Sequence, residues 1–182
     1  GFLMILGLDV STSITGATVV DKGGNVIHNT AWDTRNKKYF PTLISKAAWL
    51  EARLIEIQKK YKIKEVYIEQ SLQSFRSGFS SAQTLSTLSR YNGIISWICY
   101  QVFLLEPMYV AATTARKSCG IKIPRGSKAK QVVLEHLLDS EPAFSIEYTR
   151  QGNPKPDSYD RADSIIIAKA GYNLWKNKNS PS

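Results

Sequence analysis

Apolar and polar positions change period several times along the chain, and each change marks an element. Leu3-Met4-Ile5-Leu6-Gly7-Leu8-Asp9-Val10 is an apolar run broken by one acid near its end. That is the pattern of a short strand buried on both faces. A polar, turn-prone stretch from Ser11 to Gly16 follows, and residues 17–20 resume the β pattern. Gly23-Gly24 makes a tight turn before residues 26–32 return as another strand. The start of the chain therefore predicts a three-strand antiparallel meander. The period then lengthens. Leu43, Ala47, Leu50, Leu54 and Ile57 recur at steps of four and three, which predicts a helix over residues 42–60 with one apolar face.

Residues 65–69 predict a fourth strand. A loop rich in Ser, Gly and Gln leads from it into a long helix ending near residue 103. Residues 108–112 predict a fifth strand, and two shorter helices follow over 114–119 and 127–138. After an irregular segment with Pro142, Gly152, Pro154 and Pro156, a last helix starts near Asp157. No repeat, low-complexity tract or linker interrupts this order. The expectation is one α/β domain over residues 1–182, with Gly1–Leu3 ahead of Met4 read as a tag remnant. Its five-stranded mixed sheet combines the antiparallel meander with two parallel strands, flanked by helices. The long helix carries Leu85, Leu88, Ile95, Trp97 and Ile98. Those are too many apolar groups for one core-facing stripe, so part of this helix is expected to form a homodimer interface.

Composition adds one strong constraint. An apolar content of 43% and a charged content of 21% suit a folded globular protein, but the net charge is +9. Such an excess points to a polyanionic partner, most simply nucleic acid. Cys99 and Cys119 stand alone without metal-ligand spacing and read as reduced cysteines. With no secretory signal and no uninterrupted apolar stretch of spanning length, the expected location is the cytoplasm of a bacterial or infected host cell, away from membranes.

Against that positive charge, the acids stand out. Asp9 ends the first strand and Glu69 the fourth. A carboxylate inside an apolar strand is costly unless paired, hydrogen-bonded or bound to a cation. The run "KPDSYDRADSIIIA" places Asp157, Asp160 and Asp163 three residues apart, just before an apolar stretch. A helix puts Asp160 and Asp163 on one face. Asp157 falls one step further back, in the first turn or at the cap, and capping is its best explanation, because the N-terminal end of a helix favours negative charge. That effect fades after the first turn, so it explains Asp163 poorly. Carboxylates converging from two strands and a helix suit hard cations such as Mg²⁺ or Mn²⁺. Two such ions about 4 Å apart can activate water and stabilise a leaving oxygen in phosphodiester cleavage.

Strand "ILGLDVSTSITGATVV", strand "VYIEQ", segment "AATTARKSCGIKIPRGSKAKQVV" and helix "YDRADSIIIA" occur in this order. Over nearly its whole length the chain thereby resembles the RuvC-type Holliday junction resolvases, in the manner of a divergent viral or phage member. The resemblance implies a ribonuclease-H-like fold. It also implies a homodimeric, Mg²⁺-dependent endonuclease, with two ions per site and Mn²⁺ able to substitute, that makes paired nicks in four-way DNA junctions. The family's four catalytic, metal-binding acids match Asp9, Glu69, Asp160 and Asp163, and Asp157 lies outside the match.

The family's basic residues beside the active site match Arg116 and Lys128 best, with Lys117 and Lys130 as register alternatives. Composition independently supports this region. Between Gln70 and Leu134 the only acid is Glu106, against eight Lys or Arg residues, as a phosphate backbone requires. Where the family carries a junction-inserting aromatic residue, this chain has Leu72, with Phe75 three positions on and Arg76 next to it. All three are assigned to DNA contact. Phe144, Tyr148 and Arg150 lie in a segment longer than in bacterial members, and either touch DNA or cover core.

Three other functions compete with the resolvase: a broader branched-DNA or flap nuclease of the same fold, a non-catalytic junction-binding relative, and a sugar-kinase or actin-like phosphotransferase. The phosphotransferase needs two such domains and leaves the aspartate helix unexplained. A binding-only protein has no use for four acids beside phosphate.

Overall fold

The computed structural model describes residues 3–70 and 81–180. Its strands are β1 (Ile5–Asp9), β2 (Ile14–Val20), β3 (Val26–Asp33), β4 (Glu65–Glu69) and β5 (Met108–Val110). The helices are α1 (Leu43–Tyr61), α2 (Ala82–Phe103), α3 (Ala112–Ser118), α4 (Ala129–Ser140) and α5 (Asp157–Lys178). They build one mixed sheet in the order β3-β2-β1-β4-β5. The meander is antiparallel, while β1 with β4 and β4 with β5 are parallel. This is the five-stranded mixed sheet, antiparallel meander plus two parallel strands, that the sequence predicts.

Strand alternation divides the core into two layers. Leu6, Leu8, Val66 and Ile68 point towards α1 and α2, where they meet Leu50, Leu54, Ile95 and Phe103. Ile5 and Tyr67 point the other way, towards Ile165, Ile167 and Ala168 of α5 and Val133 and Leu137 of α4. Asp9 and Glu69 share the parity of Ile5 and Tyr67. Period-two geometry therefore sends both carboxylates to the α5 face.

Helix α5 lies very close to the sheet. A Cβ on Gly7 would fall 2.4 Å from the Ala168 backbone nitrogen, and one on Gly16 would fall 2.0 Å from the Asp160 carbonyl oxygen. Only glycine allows these approaches. Polar contacts fix the same end of the helix. The Thr18 and Ser164 hydroxyls hydrogen-bond at 2.7 Å in the interior. Asn29 Nδ2 donates to Thr18 Oγ1 and to the Arg161 carbonyl, and Arg161 Nε donates back to Asn29 Oδ1.

Several boundaries differ from the sequence reading. β5 stops at Val110, and α3 starts at Ala112 rather than Thr114, with Ala111 still extended as its N-cap and Ala112, a strong helix former, opening the first turn. Asp157 is not the cap of α5. Pro156 takes the cap position without a side-chain hydrogen bond, and Asp157 is the first helical residue. Phe144 is core, 5% exposed with the Arg161 guanidinium over its ring, whereas Tyr148 and Arg150 are exposed. Trp97 is 61% exposed, while its neighbours Ile95 and Ile98 are buried. Cys99 and Cys119 are free thiols that burial pushes up to about 12 and about 11. Among the described residues, no helix is long and apolar enough to cross a membrane.

Candidate metal centre and nucleic-acid interface

Parallel pairing of β1 with β4 sets Leu8 opposite Ile68, so Asp9 and Glu69 end adjacent strands at the same sheet edge. The Gln70 amide donates to the Val110 carbonyl at 2.8 Å, which holds the chain beyond Glu69 against the end of β5. Across from these strand ends, the first turns of α5 present Asp160 and Asp163. All four carboxylates line one cleft of about 900 Å³.

The electrostatics of the cleft are those of crowded acids. Burial raises Asp9 well above the usual carboxylate range, reinforced by the Glu69 charge and a hydrogen bond between the two carboxyls. Asp163 and Asp160 add smaller repulsions. Burial also pushes Asp163 up to about 7, with Glu69 and Asp160 adding to the rise while Lys130 and Arg116 oppose it. Asp160 rises to about 6, again mainly by burial, with Lys130 pulling the other way. The nearby cations thus do not offset the cost of the carboxylates.

Four oxygen donors of this kind fit a hard divalent cation. As the side chains stand, no three His, Cys, Asp or Glu among the described residues are gathered tightly enough to hold an ion. Like-charged carboxylates repel one another, and all four face the same cleft.

Of the predicted basic residues, Arg116 on α3 and Lys130 on α4 line this cleft. Lys117 lines a shallower depression beside α3, and Lys128 another between α4 and Tyr159. Leu72, Phe75 and Arg76 fall outside the described residues. Sequence reasoning missed Arg35, which lines the cleft together with Ser11 and Ser13. One signal was available: from Thr34 to Lys46 the chain holds Arg35, Lys37, Lys38 and Lys46 and no acid.

No protein-family profile and no curated protein matches the sequence. Solved structures do match. Thermus thermophilus RuvC in complex with a Holliday junction substrate superposes with a TM-score of 0.66 at 12% identity, covering 96% of each chain. The fold is that of RuvC. A second Thermus thermophilus RuvC structure gives 0.63 at 14% identity over 97% of both chains. The yeast mitochondrial Holliday junction resolvase Ydc2 gives 0.62 at 15% identity, covering 96% of this chain and 79% of that one. At these identities the likeness is one of fold. In this chain, the RuvC-type sheet carries its acids at the ends of the first and fourth strands and on the last helix.

Proposed function

We propose that the protein is a Mg²⁺-dependent endonuclease that resolves four-way DNA junctions by paired phosphodiester hydrolysis. The observation that carries this reading is the convergence of Asp9, Glu69, Asp160 and Asp163 in one cleft whose walls hold Arg116 and Lys130. Carboxylates alone would repel a phosphate backbone. Lining one cleft with these cations, they make a site for an anion and the cations that accompany it.

In this reading Asp9, Glu69, Asp160 and Asp163 hold two Mg²⁺ ions, with Mn²⁺ able to replace them. Bound there, the ions supply an activated water and charge stabilisation at the leaving oxygen. The protein contributes positioning. The two strand ends fix Asp9 and Glu69, and the packed start of α5 fixes the other two acids. Arg116 and Lys130 orient the DNA backbone by its phosphates, and Lys117 and Lys128 extend the basic surface outward.

Symmetrical resolution needs two like sites related by a two-fold axis, so the active species in this proposal is a homodimer. Helix α2 offers the surface. Trp97, Tyr100 and Leu104 are 61%, 45% and 76% exposed, and the two aromatic rings stack 5.7 Å apart. A spacing of three puts Trp97 and Tyr100 on one helical face, and Leu104 follows at the C-cap.

The test is a set of four-way junctions, forks, flaps and linear duplexes incubated with Mg²⁺, Mn²⁺, Ca²⁺ or EDTA. Paired nicks confined to junctions, present with Mg²⁺ or Mn²⁺ and absent in EDTA, are expected. Equal cutting of forks and flaps favours the broader branched-DNA nuclease. Binding without cutting in any metal favours the non-catalytic relative.

A further inference from the structure

The geometry points to a second DNA-contact wall in the connector between β3 and α1. There Arg35 grips a backbone phosphate in the cleft that Arg116 and Lys130 also line, and Lys37 and Lys38 extend that grip along the same DNA arm. This deepens the junction-nuclease reading and rests on it for the identity of the polyanion.

The connector is built as a fixed feature of the cleft. β3 pairs with β2 as far as Asp33 opposite Ile14. The next residue, Thr34, is 1% exposed; its amide donates to the Ser13 carbonyl at 2.8 Å, and its hydroxyl donates to the Thr12 and Ser13 carbonyls. Lys46, in the first turns of α1, donates its ammonium to the same Thr12 carbonyl. Both ends of the connector are thus tied to the short loop that follows Asp9. A group on the connector holds its place relative to the carboxylates without touching them.

Arg35 is also aimed. Its Nε and Nη2 form a side-on pair with both Asp33 carboxylate oxygens, at 2.9, 3.1 and 2.7 Å. This pairing holds the Asp33 carboxyl below its usual range. A guanidinium bound along one edge keeps its other edge for a second anion, and this side chain is 53% exposed. It lines the cleft that Asp9, Asp160 and Asp163 also line. Asp33 offsets part of the local charge, yet the connector from Thr34 to Lys46 has four cations and no acid of its own. Lys37 and Lys38 are exposed, and Tyr39 beside them is 68% exposed. Cations interleaved with a surface aromatic suit a nucleic-acid backbone better than an acidic protein surface.

The experiment is equilibrium binding of an immobile four-way junction in Ca²⁺, titrated between about 50 and 200 mM salt. Removing one cation that neutralises a phosphate should reduce the slope of log affinity against log salt by about 0.9. Arg35→Gln is expected to lower it by about that amount, and the double variant Lys37→Gln/Lys38→Gln by about one to two times as much. Arg35→Lys should retain most of the wild-type slope. Lys59→Gln, in the last turn of α1, should leave it unchanged. Lys37 and Lys38 lie on the surface, so the double variant keeps the test valid even if Arg35→Gln lowers the melting temperature. Wild-type slopes in both Arg35→Gln and the double variant overturn the inference and leave the nuclease reading intact. Reduced slopes in a protein that binds junctions but cuts nothing uphold the wall and sink the proposed reaction. Failure of the wild type to bind any DNA at the lowest salt overturns both.

Discussion

Replacing Gly16 by alanine should damage the proposed metal centre without altering any group in it. Gly16 pairs with Asp9 across β1 and β2, and its other side lies directly beneath the backbone of Asp160. An added Cβ would sit 2.0 Å from the Asp160 carbonyl oxygen and 2.6 Å from its carbonyl carbon, where ordinary contact begins at 3.4 Å. The start of α5 must therefore withdraw by the difference between 3.4 and 2.0 Å, about 1.4 Å. Backbone meets backbone here, so no side-chain rotation relieves the clash. Further along, Ala168 is seated on Gly7, so the helix pivots rather than lifts and the displacement concentrates at Asp160 and Asp163. Overpacking of this kind typically costs about 1–3 kcal/mol. At about 2–4 °C per kcal/mol for a chain of this size, melting should fall by a few degrees to about ten. A misplacement of about 1 Å can cost on the order of a hundredfold in rate. Single-turnover junction cleavage across a Mg²⁺ titration, beside thermal melts, measures both effects. Lys59→Ala, at an exposed position in the last turn of α1, is the control and should leave cleavage and melting close to wild type. Wild-type cleavage and Mg²⁺ response in folded Gly16→Ala would refute the claim that this contact sets the carboxylate geometry.

Two further outcomes follow from the same structure. Asp163 is raised to about 7 and Asp160 to about 6 in the folded chain, so between the unfolded carboxylate range and those values the native state binds more protons. In EDTA, melting should therefore fall as pH rises from about 5 to about 8, and Mg²⁺ should restore most at the upper end. A flat or rising melting curve in EDTA would show that these acids are not crowded as described. Trp97→Glu, on the exposed face of α2, should convert the proposed dimer to a 20.4 kDa monomer by light scattering and abolish paired nicking. A wild type that is monomeric at micromolar concentration yet still makes paired nicks would remove the dimer from the account.

Much of this site was legible because its parts are local patterns. Asp9 and Glu69 end the first and fourth strand patterns, and a spacing of three puts Asp160 and Asp163 on one helix face. That all four face the α5 side of the sheet came only with the parallel pairing of β1 and β4. What the sequence concealed depends on long-range contact. Arg35 reaches the cleft only because β3 pairs with β2 and Thr34 hooks onto the Ser11–Ser13 loop. The roles of Gly7 and Gly16 appear only when α5 lies across them. In α2, excess apolar residues signalled an exposed surface, but Ile95, Ile98 and Trp97 are sorted into core and surface only by the helix's rotation against α1. Asp157 has the composition of a cap and lost that position to Pro156, a matter of one residue in helix phase.

The central claim is that Asp9, Glu69, Asp160 and Asp163 act as one metal-holding set. It is tested most directly by single-turnover cleavage of an immobile four-way junction in Mg²⁺, with binding measured in parallel, for Asp9→Asn, Glu69→Gln, Asp160→Asn and Asp163→Asn. Each variant should lose paired nicking while binding the junction as tightly as wild type or more tightly, because each removes a ligand and a charge that repels phosphate. Asp157→Asn should keep most of its activity. Nicking near the wild-type rate by Asp9→Asn or Glu69→Gln would contradict the account.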